Sequence, residues 1–329
     1  MKNAKELGER RIIEIIQSHL DPMPTMTVPF GDDVSAVEIG SENVAVLKTD
    51  MLVNRTDVPK GMNMWQAARK AVVMNVSDFA AKGVQPTAVL ASLGLPKNLN
   101  RKEIDEIGLG LNAGARQYGA YVVGGDTGEA SDLVISIFVF GIAKKNELVL
   151  RSGAKPADIM AVTGPFGKTS AGLKVLVNRL EAPKEISQIL VESVLMPQAR
   201  LNEGIALARS KAVTAAIDSS DGLAWSLHEI AHSSRVGITL DKLPIADEVE
   251  KFADINKLGS SDLGLYGGEE YELVVTVKPR LWDTAKKAVR RAGGDLMPIG
   301  KVTAAKGVFL KTLGKRVVVE RKGYEHFRV

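Results

Sequence analysis

The sequence contains no cysteine, and that absence removes several kinds of chemistry at once. Disulfide bonds, iron–sulfur clusters, cysteine nucleophiles and cysteine-ligated zinc are all excluded. Histidine is also scarce, with four residues in a chain of 329. The metal-binding side chains that remain are mostly carboxylates, whose hard oxygen atoms suit magnesium.

Long apolar runs are missing as well. The chain has no stretch of about 18 apolar residues, so the sequence predicts no transmembrane helix. The segment from Met1 to Glu6 is charged and lacks the apolar core of a signal peptide. A cytoplasmic location is therefore expected.

Positive charge is neither abundant nor clustered. The 43 Lys and Arg residues exceed the 39 Asp and Glu residues by four, and no basic run is longer than two residues. Nucleic acid is therefore not an expected partner, because a binding surface needs clustered charge. Apolar residues make up 45% and charged residues 25%, which is the balance of a globular protein.

Predicted helices and strands alternate in both halves of the chain, and a polar segment with Gly and Pro at 151–156 separates the halves. We therefore expect two mixed α/β domains, residues 1–148 and residues 149–329. The predicted helices cover 5–20 (ended by Pro22 and Pro24), 64–82, 100–119, 168–180, 198–210, 223–233 and 280–292. The predicted strands cover 44–47, 87–95, 121–123, 133–143, 159–163, 213–217 and 271–277, with short strands near 299, 308 and 317.

The informative pattern is a set of aspartates beside Gly, Ser or Thr, several of them at expected strand ends, where α/β proteins place ligands. Asp50 is expected to end one strand, and Asp126 to follow a Gly-Gly pair at the end of another. Nucleotide phosphates could approach so many carboxylates only with a metal, so the pattern predicts Mg-nucleotide chemistry. For any single aspartate, a helix cap or turn is the alternative. The set comprises Asp32, Asp33, Asp50, Asp78, Asp126, Asp218 and Asp221.

Two other motifs are less favoured. The segment Gly164–Thr169 ends like a phosphate-binding loop, but it has two residues between its glycines where that loop has four, so a strand-to-helix turn is expected. His228 and His232 match the helical zinc-hydrolase pattern. The two histidines fall largely off the predicted buried face of their helix. No third zinc ligand is clear, although Glu248 or Glu250 could serve as one.

Short segments along nearly the whole chain resemble the thiamine-monophosphate kinase family. That family belongs to the superfamily of aminoimidazole ribonucleotide synthetase, selenophosphate synthetase and the hydrogenase maturation dehydratase. The segments are Gly31–Asp33, Lys48–Val53, Asn75–Ala81, Gly124–Thr127, Arg151–Ala154, Val162–Gly164, Ser170–Leu173, Ile217–Leu223, Gly267–Leu273 and Gly323–Phe327.

The resemblance implies that ATP phosphorylates the phosphate of thiamine monophosphate, giving thiamine diphosphate and ADP, with several magnesium ions. Residues 1–148 would bind ATP and magnesium and form a homodimer, and residues 149–329 would complete the active site. The implied metal ligands are Asp33, Thr49, Asp50, Asp78, Asp126, Asp218 and Asp221. The implied ATP contacts are Gly125, Asp126, Arg151 and Ser220, and the thiamine site would include Glu269 and Tyr324. Asp50, Asp126, Asp218 and Arg151 would be the catalytic residues.

Three positions depart from the family pattern. Lys48 stands where many members have Ser or Thr, Asp57 where a His often approaches the substrate, and Glu270 where Asp is common. The absence of cysteine counts against selenophosphate synthetase and the hydrogenase protein. An enzyme like aminoimidazole ribonucleotide synthetase and a non-catalytic nucleotide-binding homologue remain the alternatives.

Overall fold

The computed structural model describes residues 3–21, 23–28, 30–312 and 314–327, so Pro22 lies outside the described residues. Two mixed sheets with helices packed against them form two α/β domains, which confirms the predicted fold class. The elements up to the end of the first sheet are α1 (Ala4–Leu7), α2 (Glu9–Gln17), β1 (Met26–Val28), β2 (Ser35–Gly40), β3 (Asn43–Val53), α3 (Asn54–Asp57), α4 (Met64–Lys82), β4 (Pro86–Leu95), α5 (Arg101–Gln117), β5 (Tyr121–Glu129) and β6 (Val134–Lys144).

The second sheet and its helices follow after residue 158. Their elements are β7 (Ile159–Val162), α6 (Lys168–Leu176), α7 (Lys184–Leu195), α8 (Leu201–Arg209), β8 (Val213–Asp218), α9 (Leu223–Ser234), β9 (Gly237–Leu240), α10 (Asp247–Asn256), α11 (Ser260–Tyr266), β10 (Leu273–Val277), α12 (Trp282–Arg291), β11 (Met297–Thr303), β12 (Gly307–Thr312) and β13 (Lys315–Val318).

The first sheet has the strand order β1-β2-β3-β6-β4-β5, so the long apolar strand β6 lies in its interior. This strand is antiparallel to both β3 and β4, and β5 forms an edge, parallel to β4. Ile135, Ile137 and Val139 of β6 are buried, while Phe138 and Phe140 on the other face are half-buried. One face therefore belongs to the core, and the other is partly open.

The second sheet has the order β13-β12-β9-β11-β7-β10-β8. Its edge strand β8 pairs with β10 in antiparallel register, with Asp218 opposite Leu273. The last residue of β8 therefore lies beside the first residue of β10. This end of the sheet faces the first domain across helix α4.

Helix α4 lies between the two domains and contacts β3 and β6 of one sheet and β8 of the other. It begins with a capping box formed by Asn63 and Gln66, and 15 of its 19 residues are buried, which is why it shows no polar face. Helix α8 packs closely on it, because a Cβ at Gly204 would lie 2.0 Å from the carbonyl oxygen of Ala80. The polar side chains of α4 from Arg69 to Lys82 are thus held in the interior.

Three local predictions were wrong. The first helix is interrupted at Gly8, and Asp50 and Asp126 lie inside strands rather than at strand ends. Strand β3 is paired with β6 along its whole length, and β5 with β4 through Asp126, so sheet pairing overrides the weak strand preference of Asp and Gly. A Cβ at Gly125 would lie 1.9 Å from the carbonyl oxygen of Ala91, so this close pairing requires glycine.

Candidate active site

Three buried aspartates meet where the two domains face each other. Asp33 comes from the turn before β2, Asp78 from α4 and Asp218 from the end of β8, and each offers a carboxylate oxygen within 4.8 Å of the others. Ser77, next to Asp78 on α4, donates its hydroxyl to Asp218 at 2.8 Å. In the part of the chain that the structure describes, no other cluster of three or more acidic or histidine side chains is this compact. We call this group the acidic centre.

A buried lysine of α4 anchors the first of these aspartates. The Lys82 ammonium lies 2.5 Å from Asp32 Oδ1 and 2.8 Å from Asp33 Oδ2, and it donates to the carbonyl oxygen of Ala216 at 3.0 Å. From the other side, Arg151 donates its Nε to Asp33 Oδ1 at 2.6 Å. The last turn of α4 therefore connects the Asp32–Asp33 turn to strand β8.

A second lysine lies on the other side of the acidic centre. Lys48 and Asp50 are two residues apart on β3 and point to the same face, toward α4. The Lys48 ammonium lies 3.2 Å from Asp50 Oδ2 and 3.1 Å from Asp78 Oδ2. The side chain of Asn75 accepts from the backbone N–H of Asp50 at 2.8 Å and donates to the Ala71 carbonyl at 3.0 Å, which fixes β3 against α4.

The carboxylates of the acidic centre differ in their pKa values. Burial raises the pKa of Asp218 to about 7, and the charge of Asp33 adds to the shift. Burial also raises the pKa of Asp78 well above its usual range; Lys48 opposes this, and Asp218 reinforces it. For Asp33, burial acts in the same direction, but its two cationic partners together outweigh it and lower the pKa. The negative charge around Asp78 and Asp218 is therefore only partly balanced.

The donor set and this charge fit a divalent cation that prefers oxygen, and magnesium in particular. Close buried carboxylates repel one another, and a divalent cation would relieve that repulsion. The buried hydroxyl of Ser219, the neighbour of Asp218, has no hydrogen-bond partner among the described residues. The centre therefore has both the charge and an open polar atom that a metal-bound ligand would satisfy.

The turn after β8 connects the acidic centre to two further segments. Ser220 accepts from the backbone N–H of Glu269 at 2.6 Å, and Asp221 accepts from the backbone N–H of Tyr324 at 3.0 Å. Burial raises the pKa of Asp221 to about 6, and the charge of Glu9 adds to the shift. Ser220, which is expected to contact ATP, and the two residues expected at the thiamine site are therefore joined through this turn by backbone hydrogen bonds.

Glu269 and Tyr324 lie on the same side of this turn. Glu269 Oε1 lies 2.5 Å from the ammonium of Lys70, a buried residue of α4 that also donates to the carbonyl oxygen of Asp57 at 2.9 Å. Burial raises the pKa of Tyr324 to about 12, with the charges of Asp57 and Glu269 as the next contributions. Glu269 has a φ of 63°, a costly conformation for a residue other than glycine, and such strain often accompanies function.

Thr49, Gly125 and Asp126 stand apart from the acidic centre within one chain. Thr49 is on the opposite face of β3 from Asp50, and Gly125 and Asp126 are exposed on the edge strand β5. The register places Asp126 on the face that Thr49 shares, because directly paired residues of neighbouring strands point the same way. The residues paired across the sheet at this level are Met51, Ser136, Ser92 and Asp126. A role for these three residues stays a prediction.

The segment Gly164–Thr169 forms the expected strand-to-helix turn between β7 and α6. At the start of that helix, the carboxyl group of Glu270 accepts the backbone N–H groups of Gly167 and Thr169 at 2.8 and 3.0 Å. Burial raises the pKa of Glu270 to about 8. The Glu270 carboxyl group thus occupies the backbone N–H groups that a phosphate-binding loop would offer to phosphate.

The two histidines of α9 are in different surroundings. His228 is half-buried, in contrast to the predicted solvent exposure, and its Nε2 lies 2.8 Å from the carbonyl oxygen of Val319, while His232 is exposed. Burial lowers the pKa of His228. The Nε2 atom of His228 is therefore hydrogen-bonded to the backbone and is not free to bind zinc in this arrangement.

Sequence reasoning did not single out Lys70, Ser77 or Lys82, although all three contact predicted site residues. They lie on α4, where polar residues interrupt an otherwise apolar pattern. Polar residues on a helix that is buried on all sides must find partners, and this was the available signal.

Comparisons with known proteins agree with this architecture. The model of the AIR synthase related protein N-terminal domain matches residues 31–143, and that of the C-terminal domain matches residues 156–312. The thiamine-monophosphate kinase of Nitrosopumilus maritimus is 34% identical over 98% of this chain and 99% of its own length. That of Pyrococcus horikoshii is 38% identical over 98% of each chain. The solved structure of AaThiL complexed with AMPPCP and TMP has a TM-score of 0.86 and 30% identity over 99% of each chain.

The chain therefore belongs to the AIR synthase related family, and within it to the thiamine-monophosphate kinases. The helices that the structure describes include none with the length and apolar character needed to cross a bilayer.

Proposed function

We propose that this chain is an ATP-dependent kinase that phosphorylates thiamine monophosphate to thiamine diphosphate. The observation that carries the proposal is the acidic centre of Asp33, Asp78 and Asp218, in a chain that matches a kinase complexed with AMPPCP and TMP over 99% of its length. AMPPCP is an analogue of ATP, so that protein binds the two substrate types that the proposed reaction requires.

Phosphoryl transfer depends mainly on positioning and on neutralising charge. The acceptor oxygen belongs to an ionised phosphate, so no strong general base is needed. We propose that Asp33, Asp78 and Asp218, with Asp50 beside them, hold magnesium, which would neutralise phosphate charge when bound. Lys82 and Arg151, the two cations that contact Asp33, keep its carboxylate ionised and in place.

The remaining ligands of the proposed site follow from the family resemblance. Thr49, Asp126 and Asp221 would complete the metal ligands, and Gly125, Asp126, Arg151 and Ser220 would contact ATP. Arg151 is held against Asp33 in this structure. It would contact nucleotide either while it keeps this hydrogen bond or after a small movement of its side chain.

At the acceptor end we propose that Glu269 and Tyr324 bind the thiamine group. A carboxylate and an aromatic ring both attract the cationic thiazolium. Lys70 holds Glu269 by an ion pair, and the carbonyl oxygen of Asp57 holds Lys70. Family members often carry His at the position of Asp57, so this chain positions that end of the site differently.

We further propose a homodimer formed through the open face of the first sheet, with a cytoplasmic location. That face carries exposed apolar side chains at Met51, Leu90, Tyr121 and Ile142, an arrangement typical of an interaction surface. Asp126 lies on the same face, so pairing of two chains would bring it near the partner. Residues 1–148 would then serve ATP binding and dimerisation, and residues 149–329 would complete the site.

The test is ADP release by the purified protein with magnesium, ATP and a panel of acceptors. Turnover with thiamine monophosphate, and none with free thiamine or formylglycinamidine ribonucleotide, is expected. Turnover only with the ribonucleotide would favour the synthetase alternative, and tight ATP binding without turnover on any acceptor would favour the non-catalytic one. Asp218→Asn should lose at least about a hundredfold in rate, whereas Asp295→Asn, whose carboxylate makes an exposed ion pair with Arg290, should not.

A further inference from the structure

Lys48 lies between two carboxylates of the proposed metal site, in a place that a cation from solution would otherwise occupy. Its ammonium is 3.2 Å from Asp50 Oδ2 and 3.1 Å from Asp78 Oδ2, so it bridges two carboxylates of the proposed metal site. The side chain is largely shielded, with 19% exposed. The contact with Asp78, whose side chain is 7% exposed, is therefore largely protected from screening by salt, whereas Asp50 is 39% exposed.

The position of this ammonium is fixed by the backbone. Lys48 is on the inward face of β3, and the strand is tied to α4 by the hydrogen bond from the Asp50 N–H to the Asn75 side chain at 2.8 Å. Asn75 and Asp78 are three residues apart on α4, so they lie on one side of that helix. The side chain of Lys48 therefore lies in the gap between Asp50 and Asp78.

The other cations near the acidic centre do not reach this gap. Lys82 and Arg151 contact Asp33 on the far side of the centre. Asp218 makes a hydrogen bond with Ser77 and, within the described ranges, no ion pair with a cation. Among the residues that the structure describes, Lys48 alone therefore supplies the positive charge between Asp50 and Asp78, and a divalent ion that used both carboxylates would have to displace it.

We propose that Lys48 is a built-in cation that takes the place of one divalent ion, bridging Asp50 and Asp78, so that this chain binds one metal ion fewer than it would with Ser or Thr at that position. The inference rests on the proposed metal-dependent function. Lys48 is thus a positioning residue, which holds the carboxylates of Asp50 and Asp78 at a fixed separation.

The experiment counts metal ions and does not depend on turnover. The number of Mn²⁺ ions bound per chain, in the absence of nucleotide, is measured from the electron paramagnetic resonance signal of free Mn²⁺. The proteins are the wild type, Lys48→Ser, Lys48→Arg and Lys97→Ser. Lys97→Ser is the matched control, because it removes an ammonium from an exposed pair with Glu129.

Lys48→Ser should bind one more Mn²⁺ than the wild type, and its tightest site should bind Mn²⁺ at least about tenfold more tightly, because a nearby repulsive charge is gone. Lys48→Arg keeps the cation and should match the wild type, as should Lys97→Ser. Equal stoichiometry and affinity in Lys48→Ser and the wild type, both with bound Mn²⁺, would overturn the inference alone. No Mn²⁺ bound by any of the proteins would overturn the metal-dependent function as well.

Discussion

Replacing Lys82 by methionine removes a buried ammonium while nearly preserving the volume of the side chain. In the wild type this ammonium is fully shielded and contacts Asp32, Asp33 and the carbonyl oxygen of Ala216. The variant leaves two carboxylates with less compensation in the interior. Breaking a buried ion pair from one side usually costs about 3–5 kcal/mol. Because Arg151 still contacts Asp33, we expect a loss of about 2–4 kcal/mol in the free energy of unfolding.

The assay is urea unfolding of the metal-free protein, with and without excess Mg²⁺. Magnesium should stabilise Lys82→Met more than it stabilises the wild type, because the variant has more uncompensated negative charge at the proposed site. Lys97→Met removes an exposed ammonium that lies 3.1 Å from Glu129, and it should change stability by less than about 1 kcal/mol. A loss in Lys82→Met no larger than in this control would show that Lys82 does not compensate the two carboxylates.

Two further predictions concern pH and the acceptor end. Asp218 has a folded-state pKa of about 7 against an ordinary value of 3.8, so the unfolded state releases this proton first. The stability of the metal-free protein should therefore fall as pH rises from about 4 to about 7. Mg²⁺ should raise the melting temperature more at pH 8 than at pH 5, and equal shifts at both values would contradict this. Glu269→Gln should raise KM for thiamine monophosphate at least about fivefold with little change in KM for ATP, because it removes a charge facing a cation. Equal changes in both KM values would argue against the thiamine assignment of Glu269.

Local sequence signals predicted much of the fold. Helix α4 matches the expected bounds 64–82, and α5 lies within the expected range 100–119 and begins with a capping box formed by Asn100 and Glu103. Strand β6 follows from its run of β-branched and aromatic residues. These elements are specified within the segment itself, by caps and by a continuous apolar pattern.

Strands that were not predicted depend on contacts from elsewhere in the chain. Strand β9, Gly237–Leu240, has four residues and begins with glycine, and it is formed by pairing with β11 and β12. The polar segment at Gly124–Asp126 becomes part of β5 because it pairs with β4. Propensity alone cannot anticipate a strand that is imposed by its neighbours.

The site shows the same division. The aspartates stand out by their recurring Gly and Ser surroundings, and the structure brings three of them together, Asp33, Asp78 and Asp218, whereas Asp126 lies apart on β5. The lysines that contact the site could not be distinguished from solvated ones, because long charged side chains are common on helix surfaces. Lys70 and Lys82 can be expected to contact the site only once α4 is known to be buried between the two sheets.

The proposed kinase activity is tested most directly by following the transferred phosphoryl group by ³¹P NMR, with purified protein, Mg²⁺, ATP and thiamine monophosphate. Thiamine diphosphate and ADP should appear in equal amounts while both substrates decline. Release of inorganic phosphate with no thiamine diphosphate, or no change in either substrate, would contradict this activity.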